Sequence, residues 1–276
     1  MRRIFGMIVS VAVISASGTT DAAARSASFS GGPAPPQQQC NSPDPDRAIS
    51  GCTAQLNVST RPETQSTVYT QRGVAYYKKG EYELAIADFD QAVKLNPKNV
   101  AAWRNRGDYH QAEGDYASAV EDYNQAIALD PKNAVTLDQR GNAYLFKRDI
   151  MHALADYDQA IALNPRFAGA YANRGEAYRG QGQYDRAIQD FDQAIRLDSR
   201  QAAAYLSRGL ALKEKGDQAR AIADFTQAIR IDPKNIQAYD ERAAAYEHSG
   251  AHDRALADIA QAVKLDPENA ASHRLP

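Results

Sequence analysis

From Ser66 to Asn269 the chain repeats itself every 34 residues, six times without a gap. A unit of that length is one supersecondary element, too small to bury its own apolar face, so it must stack on its neighbours. The units are 66–99, 100–133, 134–167, 168–201, 202–235 and 236–269. With positions counted from the start of each unit, position 7 is always Arg: Arg72, Arg106, Arg140, Arg174, Arg208 and Arg242. Position 8 is Gly73, Gly107, Gly141, Gly175, Gly209 and then Ala243. Positions 20 and 27 are always Ala, position 23 is always Asp, and position 24 is Phe89, Tyr123, Tyr157, Phe191, Phe225 or Ile259.

Apolar residues at positions 20, 21, 24, 27, 28 and 30 follow helical spacing. Gly at position 15 (Arg148 in the third unit) divides each unit into two helices. Acidic residues just beyond it, such as Asp115 and Asp217, suit the start of the second helix. Pro at position 32, replaced once by Ser199, ends that helix. Small side chains at 8, 20 and 27 let the two helices approach, and aromatics at 4, 11 and 24 fill the space around them. The Arg at 7 and the Asp at 23 fall on opposite helices of one hairpin. They predict a repeated structural ion pair: Arg106 with Asp122, Arg140 with Asp156, Arg174 with Asp190. A catalytic carboxylate would be singular, and these recur in every unit.

The period and the pattern at positions 4, 8, 11, 20, 24, 27 and 32 resemble the tetratricopeptide repeat family. The resemblance covers about three quarters of the chain. It implies an all-α, right-handed solenoid of six helix-turn-helix repeats, with first helices lining a concave face at positions 2, 5, 6, 9, 12 and 13. On that face position 6 carries Gln71, Asn105, Gln139 and Asn173, amides that both donate and accept. The ladder stops after four units, and solvated polar side chains are the competing reading. Arg104 and Asn142 extend the groove. Leu145 and Phe146 stand where most units are polar or small; they read either as an anchor for a partner side chain or as packing beneath the turn at Arg148. The Lys–Asn–Arg carboxylate clamp of chaperone adaptors is not supported, since Ala101, Asp108, Asp138 and Gly169 stand at the relevant places.

Ahead of the repeats, Met1-Arg2-Arg3 and the apolar run Ile4–Ala16 read as a signal peptide over 1–24, with cleavage after Ala24 or after Gly18. The run is too short for a span of about 20 apolar residues. Residues 25–45 read as a flexible Ser-, Gly-, Pro- and Gln-rich linker. Residues 46–65 read as an N-terminal capping helix and connector, because Ala48, Ile49 and Cys52 mimic positions 20, 21 and 24. The two cysteines, Cys40 and Cys52, read as a disulfide in an exported chain, with a redox pair as the alternative. The tail 270–276 is too short for the polar helix that closes many arrays.

A net charge of -2 leaves no basic surplus for nucleic acid. No nucleophile motif, phosphate loop or metal-ligand cluster stands out, so no enzyme activity, cofactor or metal is expected. The expected function is a periplasmic or secreted interaction scaffold that binds a protein or peptide in the groove. The alternative is an assembly subunit that self-associates as a homo-oligomer through its last repeat.

Overall fold

The computed structural model describes residues 35–269. The signal segment, residues 25–34 of the linker and the tail 270–276 lie outside them. Among the described residues every regular element is helical. Two short-range elements come first, α1 (Pro36–Cys40) and α2 (Pro45–Val58). Six hairpins follow: α3 (Pro62–Lys79) with α4 (Tyr82–Leu95), α5 (Val100–Ala112) with α6 (Tyr116–Leu129), and α7 (Ala134–Phe146) with α8 (Ile150–Leu163). The last three are α9 (Ala168–Gly180) with α10 (Tyr184–Leu197), α11 (Ala202–Lys215) with α12 (Gln218–Ile231), and α13 (Ile236–His248) with α14 (His252–Leu265). The chain divides into two compact units between Pro131 and Lys132.

The boundaries follow from local chemistry. Asn99, Asn133 and Asn235 cap first helices by accepting from the backbone N–H three residues on; Asp115, Asp149 and Asp217 do the same for second helices. The turn inside each hairpin needs a left-handed residue. Gly supplies it five times, and Arg148 adopts it with φ 63° in the third.

Inside each of the first five hairpins the position-24 ring packs against the glycine at position 8. A Cβ built on Gly175 would stand 2.8 Å from Phe191 Cε1, and one on Gly107 2.7 Å from Tyr123 Cε1. Only glycine fits beneath a ring at that distance. The sixth hairpin has Ala243 at position 8, and there position 24 is the smaller Ile259. Buried Ala side chains at positions 20 and 27 complete each core, for example Ala187 and Ala194.

The segment 35–45 corrects the linker expectation. Residues 36–40 are helical and α2 already starts at Pro45. Both prolines sit at the first helical position, where a missing N–H costs nothing, and the Cys40–Cys52 disulfide ties α1 to α2. Gly51 permits the contact, since a Cβ there would come within 2.5 Å of Cys40 N. The capping segment is thus a short disulfide-closed hairpin packed on α3.

Candidate interaction surface

The charged side chains sort first into those already committed to the fold. All six Arg–Asp pairs form within their hairpins, from Arg72 Nε to Asp88 Oδ2 at 2.8 Å through Arg242 Nη2 to Asp258 Oδ1 at 2.7 Å. Each is a two-pronged fork; Arg174, for instance, donates from Nε at 2.8 Å and Nη2 at 2.7 Å to the two oxygens of Asp190. Hydrogen bonding to the partner carboxylate raises the pKa of the guanidinium in all six. Aromatic rings at positions 4 and 11 stack over the same groups, as Trp103 does at 4.8 Å from Arg106 Cζ.

The third nitrogen reaches back to the preceding hairpin. Arg106 Nη1 donates to Asp90 Oδ1 at 2.8 Å, Arg174 Nη1 to Asp158 Oδ1 at 2.6 Å, and Arg208 Nη1 to Asp192 Oδ1 at 2.6 Å. Arg242 Nη1 donates to Thr226 Oγ1 at 2.9 Å. Arg72 Nη1 donates to Thr53 Oγ1 of α2 at 3.0 Å. By its spacing from Ala48 and Cys52, Thr53 stands at the place of position 25, so α2 serves as the second helix of a preceding repeat.

The first helices adjoin one another, α3 with α5 in the first unit, and α7, α9, α11 and α13 in sequence in the second. The groove residues expected on them divide sharply. Gln71 is taken up by the N-terminal hairpin: its Nε2 donates to Asn41 Oδ1 at 2.7 Å. Asn142 is buried and its Oδ1 accepts from Tyr157 Oη at 2.7 Å. Asn173 Nδ2 donates to Asp138 Oδ1 at 2.9 Å, linking α9 to α7. Leu145 packs on the cluster of Ala153, Tyr157 and Ala177, which is the packing alternative of the two weighed for it. Gln139 and Phe146 are half-buried on α7. Asn105 on α5 is 4% exposed, and its Oδ1, like Gln139 Oε1, is buried with no hydrogen-bond partner. Arg104 beside it is half-buried and forms neither a hydrogen bond nor an ion pair among the described residues; its charge partly offsets the upward shift of the Tyr123 phenol.

Family models for the tetratricopeptide repeat match residues 70–134, 139–198, 173–236 and 236–269, well over half of the chain. The chain belongs to the tetratricopeptide repeat family. No curated protein matches the sequence. Among solved structures, a MamA protein is 28% identical over 62% of this chain and 93% of its own, with a TM-score of 0.54. A tetratricopeptide repeat protein from Parabacteroides merdae is 20% identical over 86% of this chain and 94% of its own, with a TM-score of 0.69. YrrB, described as a tetratricopeptide protein with an unusual peptide-binding site, is 20% identical over 69% of this chain and 96% of its own, with a TM-score of 0.55. The last two likenesses establish the fold.

Within the tetratricopeptide array two acids that the sequence marked only as departures from the carboxylate clamp have internal partners. Asp138 is buried, and desolvation pushes its pKa up to about 7 against the opposing hydrogen bond from Asn173. Asp108 accepts from Tyr123 Oη at 2.7 Å. The signal for Asp108 was available: Tyr replaces Phe at position 24 only in the second and third repeats, the two with Asp108 and Asn142 at position 9. Among the described residues no group of three or more His, Cys, Asp or Glu is placed to hold a metal ion, and no helix is long and apolar enough to cross a membrane.

Proposed function

We propose that this protein is a non-catalytic interaction scaffold of the cell envelope, and that it holds an extended peptide or a partner segment along α3 and α5. The observation that carries this reading is on α5, where the unpartnered Asn105 Oδ1 stands next in sequence to Arg104, a guanidinium without an ion pair among the described residues. A buried amide oxygen without a donor costs free energy that a ligand N–H would recover. The Arg104 guanidinium next to it offers a bidentate site for a carboxylate or a main-chain carbonyl. The six repeated ion pairs, by contrast, are consumed by architecture. The peptide-binding site ascribed to YrrB supports the same use of the fold. The disulfide supports an oxidising compartment, in keeping with the signal-like N-terminus.

Cross-linking in the native envelope identifies the partner; titration calorimetry with the purified partner then tests the site. Arg104→Ala with Asn105→Ala is expected to weaken binding at least about tenfold, the loss of one or two charge-assisted hydrogen bonds. Met151→Ala, on the exposed side of α8, leaves it unchanged. Equal affinity of both variants and the parent removes α5 from the interface.

A second reading, self-association through the last hairpin, is favoured by one observation: Leu256 on α14 is 60% exposed. Its counterpart Ile222 on α12 packs into a core cluster with Ala245 of the following helix.

A further inference from the structure

We propose that α14 pairs with α14 of a second copy of this chain, antiparallel about a two-fold axis near Ala260. The proposal rests on the second reading above and gives it a geometry. Leu256, Ala260 and Val263 stand at i, i+4 and i+7, one continuous stripe along α14. The equivalent stripe on α12 is Ile222, Thr226 and Ile229, and α13 covers it, with Arg242 donating to Thr226 Oγ1. On α14 the acceptor position is Ala260, exposed and without a polar atom.

That replacement narrows the occupant. Any first helix of this array brings Arg at position 7, which would be stranded against Ala260. The foremost first helix, α3, is moreover already engaged by α2 through Arg72 and Thr53. Head-to-tail stacking of copies is therefore disfavoured at both surfaces. An apolar helix face fits, and α14 is itself such a face. The flanking charges then choose the orientation. Asp253 and Lys264 are exposed on the same flank near opposite ends of α14, and neither forms an ion pair among the described residues. In a parallel pair the two-fold carries each of them to the opposite side of the seam, where neither charge meets the other. In the antiparallel pair Leu256 lies opposite Val263 of the second copy. Asp253 then lies about two residues, or roughly 3 Å, in height from Lys264 of the second copy, twice over. The small Ala260 near the axis lets the two helices close together.

Sedimentation equilibrium of the full-length protein reads the outcome. The parent is expected to show a concentration-dependent dimer. Leu256→Asp, at an exposed site and so compatible with folding by circular dichroism, is expected to be monomeric. Asp253→Lys and Lys264→Asp each weaken dimerisation by roughly tenfold, since each sets like charges opposite one another twice. The double exchange Asp253→Lys with Lys264→Asp restores it, a rescue that only the antiparallel register predicts. A dimer that survives Leu256→Asp overturns the proposal while leaving self-association through another surface standing. A dimer lost in Leu256→Asp but not restored by the double exchange overturns the register. A parent monomeric at every concentration overturns both this pairing and the second reading. If removal of residues 270–276 then creates a dimer, the tail is the occupant, and the proposal is equally overturned.

Discussion

A carboxyl group withdrawn from water keeps its proton, and Asp138 is so placed between α7 and α9. Its folded pKa of about 7 stands above an unfolded value of about 3.9. Between those values the folded chain holds a proton that the unfolded chain has lost, so this group's contribution to stability falls as pH rises and levels off above about 7. Asp138→Asn keeps an oxygen for Asn173 Nδ2 and cannot ionise. Relative to the parent, the variant is expected to gain on the order of a few kcal/mol at pH 8 and little near pH 4, measured by urea unfolding across the range. A difference that stays flat with pH would show that the carboxyl is solvated. Residues of this kind are the ones the sequence conceals. Arg174 and Asp190 announce themselves by recurring in every unit. Asp138, Asn105 and Asn173 stand at positions 5 and 6, where the residue changes from unit to unit, and whether an amide is committed or free depends on the neighbour opposite, which a single chain of letters does not display.

At the scale of the element, the helical hairpins were legible because recurring constraints set them: a left-handed turn in all six, a glycine under a ring in the first five, and a side-chain cap on at least one helix of the second, third, fifth and sixth. The ring contact can be tested alone. Gly175→Ala places a methyl group 2.8 Å from Phe191 Cε1, and overpacking of this sort is expected to cost about 1–3 kcal/mol. Adding Phe191→Ile, which recreates the Ala243 and Ile259 pairing of the sixth hairpin, is expected to recover part of that loss in thermal unfolding. A double variant less stable than Gly175→Ala alone would mean the ring contributes more than the clash removes. The element that composition misread is α1. Its Pro- and Gln-rich segment has no helical periodicity, and what orders it is a covalent bond to α2 and the clasp from Gln71.

At the scale of the whole chain, the repeats account for the fold, and the N-terminal hairpin accounts for where the repeating pattern starts. Cys40→Ser with Cys52→Ser is expected to cost about 2–3 kcal/mol, the usual return from closing a loop of this size. Hydrogen exchange should report that loss first in α1 and α2, ahead of the repeats. Uniform acceleration across all six hairpins would instead make the disulfide a global determinant. The partner and the compartment are beyond what periodicity encodes, because the residues that set the period are those the fold consumes.

The guanidiniums of Arg106, Arg174, Arg208 and Arg242 each grip a carboxylate in their own hairpin and an oxygen in the one before. Such a double clasp tolerates change only in whole modules. Gain or loss of 34 residues in frame leaves every clasp with both its oxygens, whereas a slip of one residue at a joint unhooks one side of it. The same bond that fastens neighbouring hairpins thereby sets the increments in which a chain of this design can lengthen or shorten.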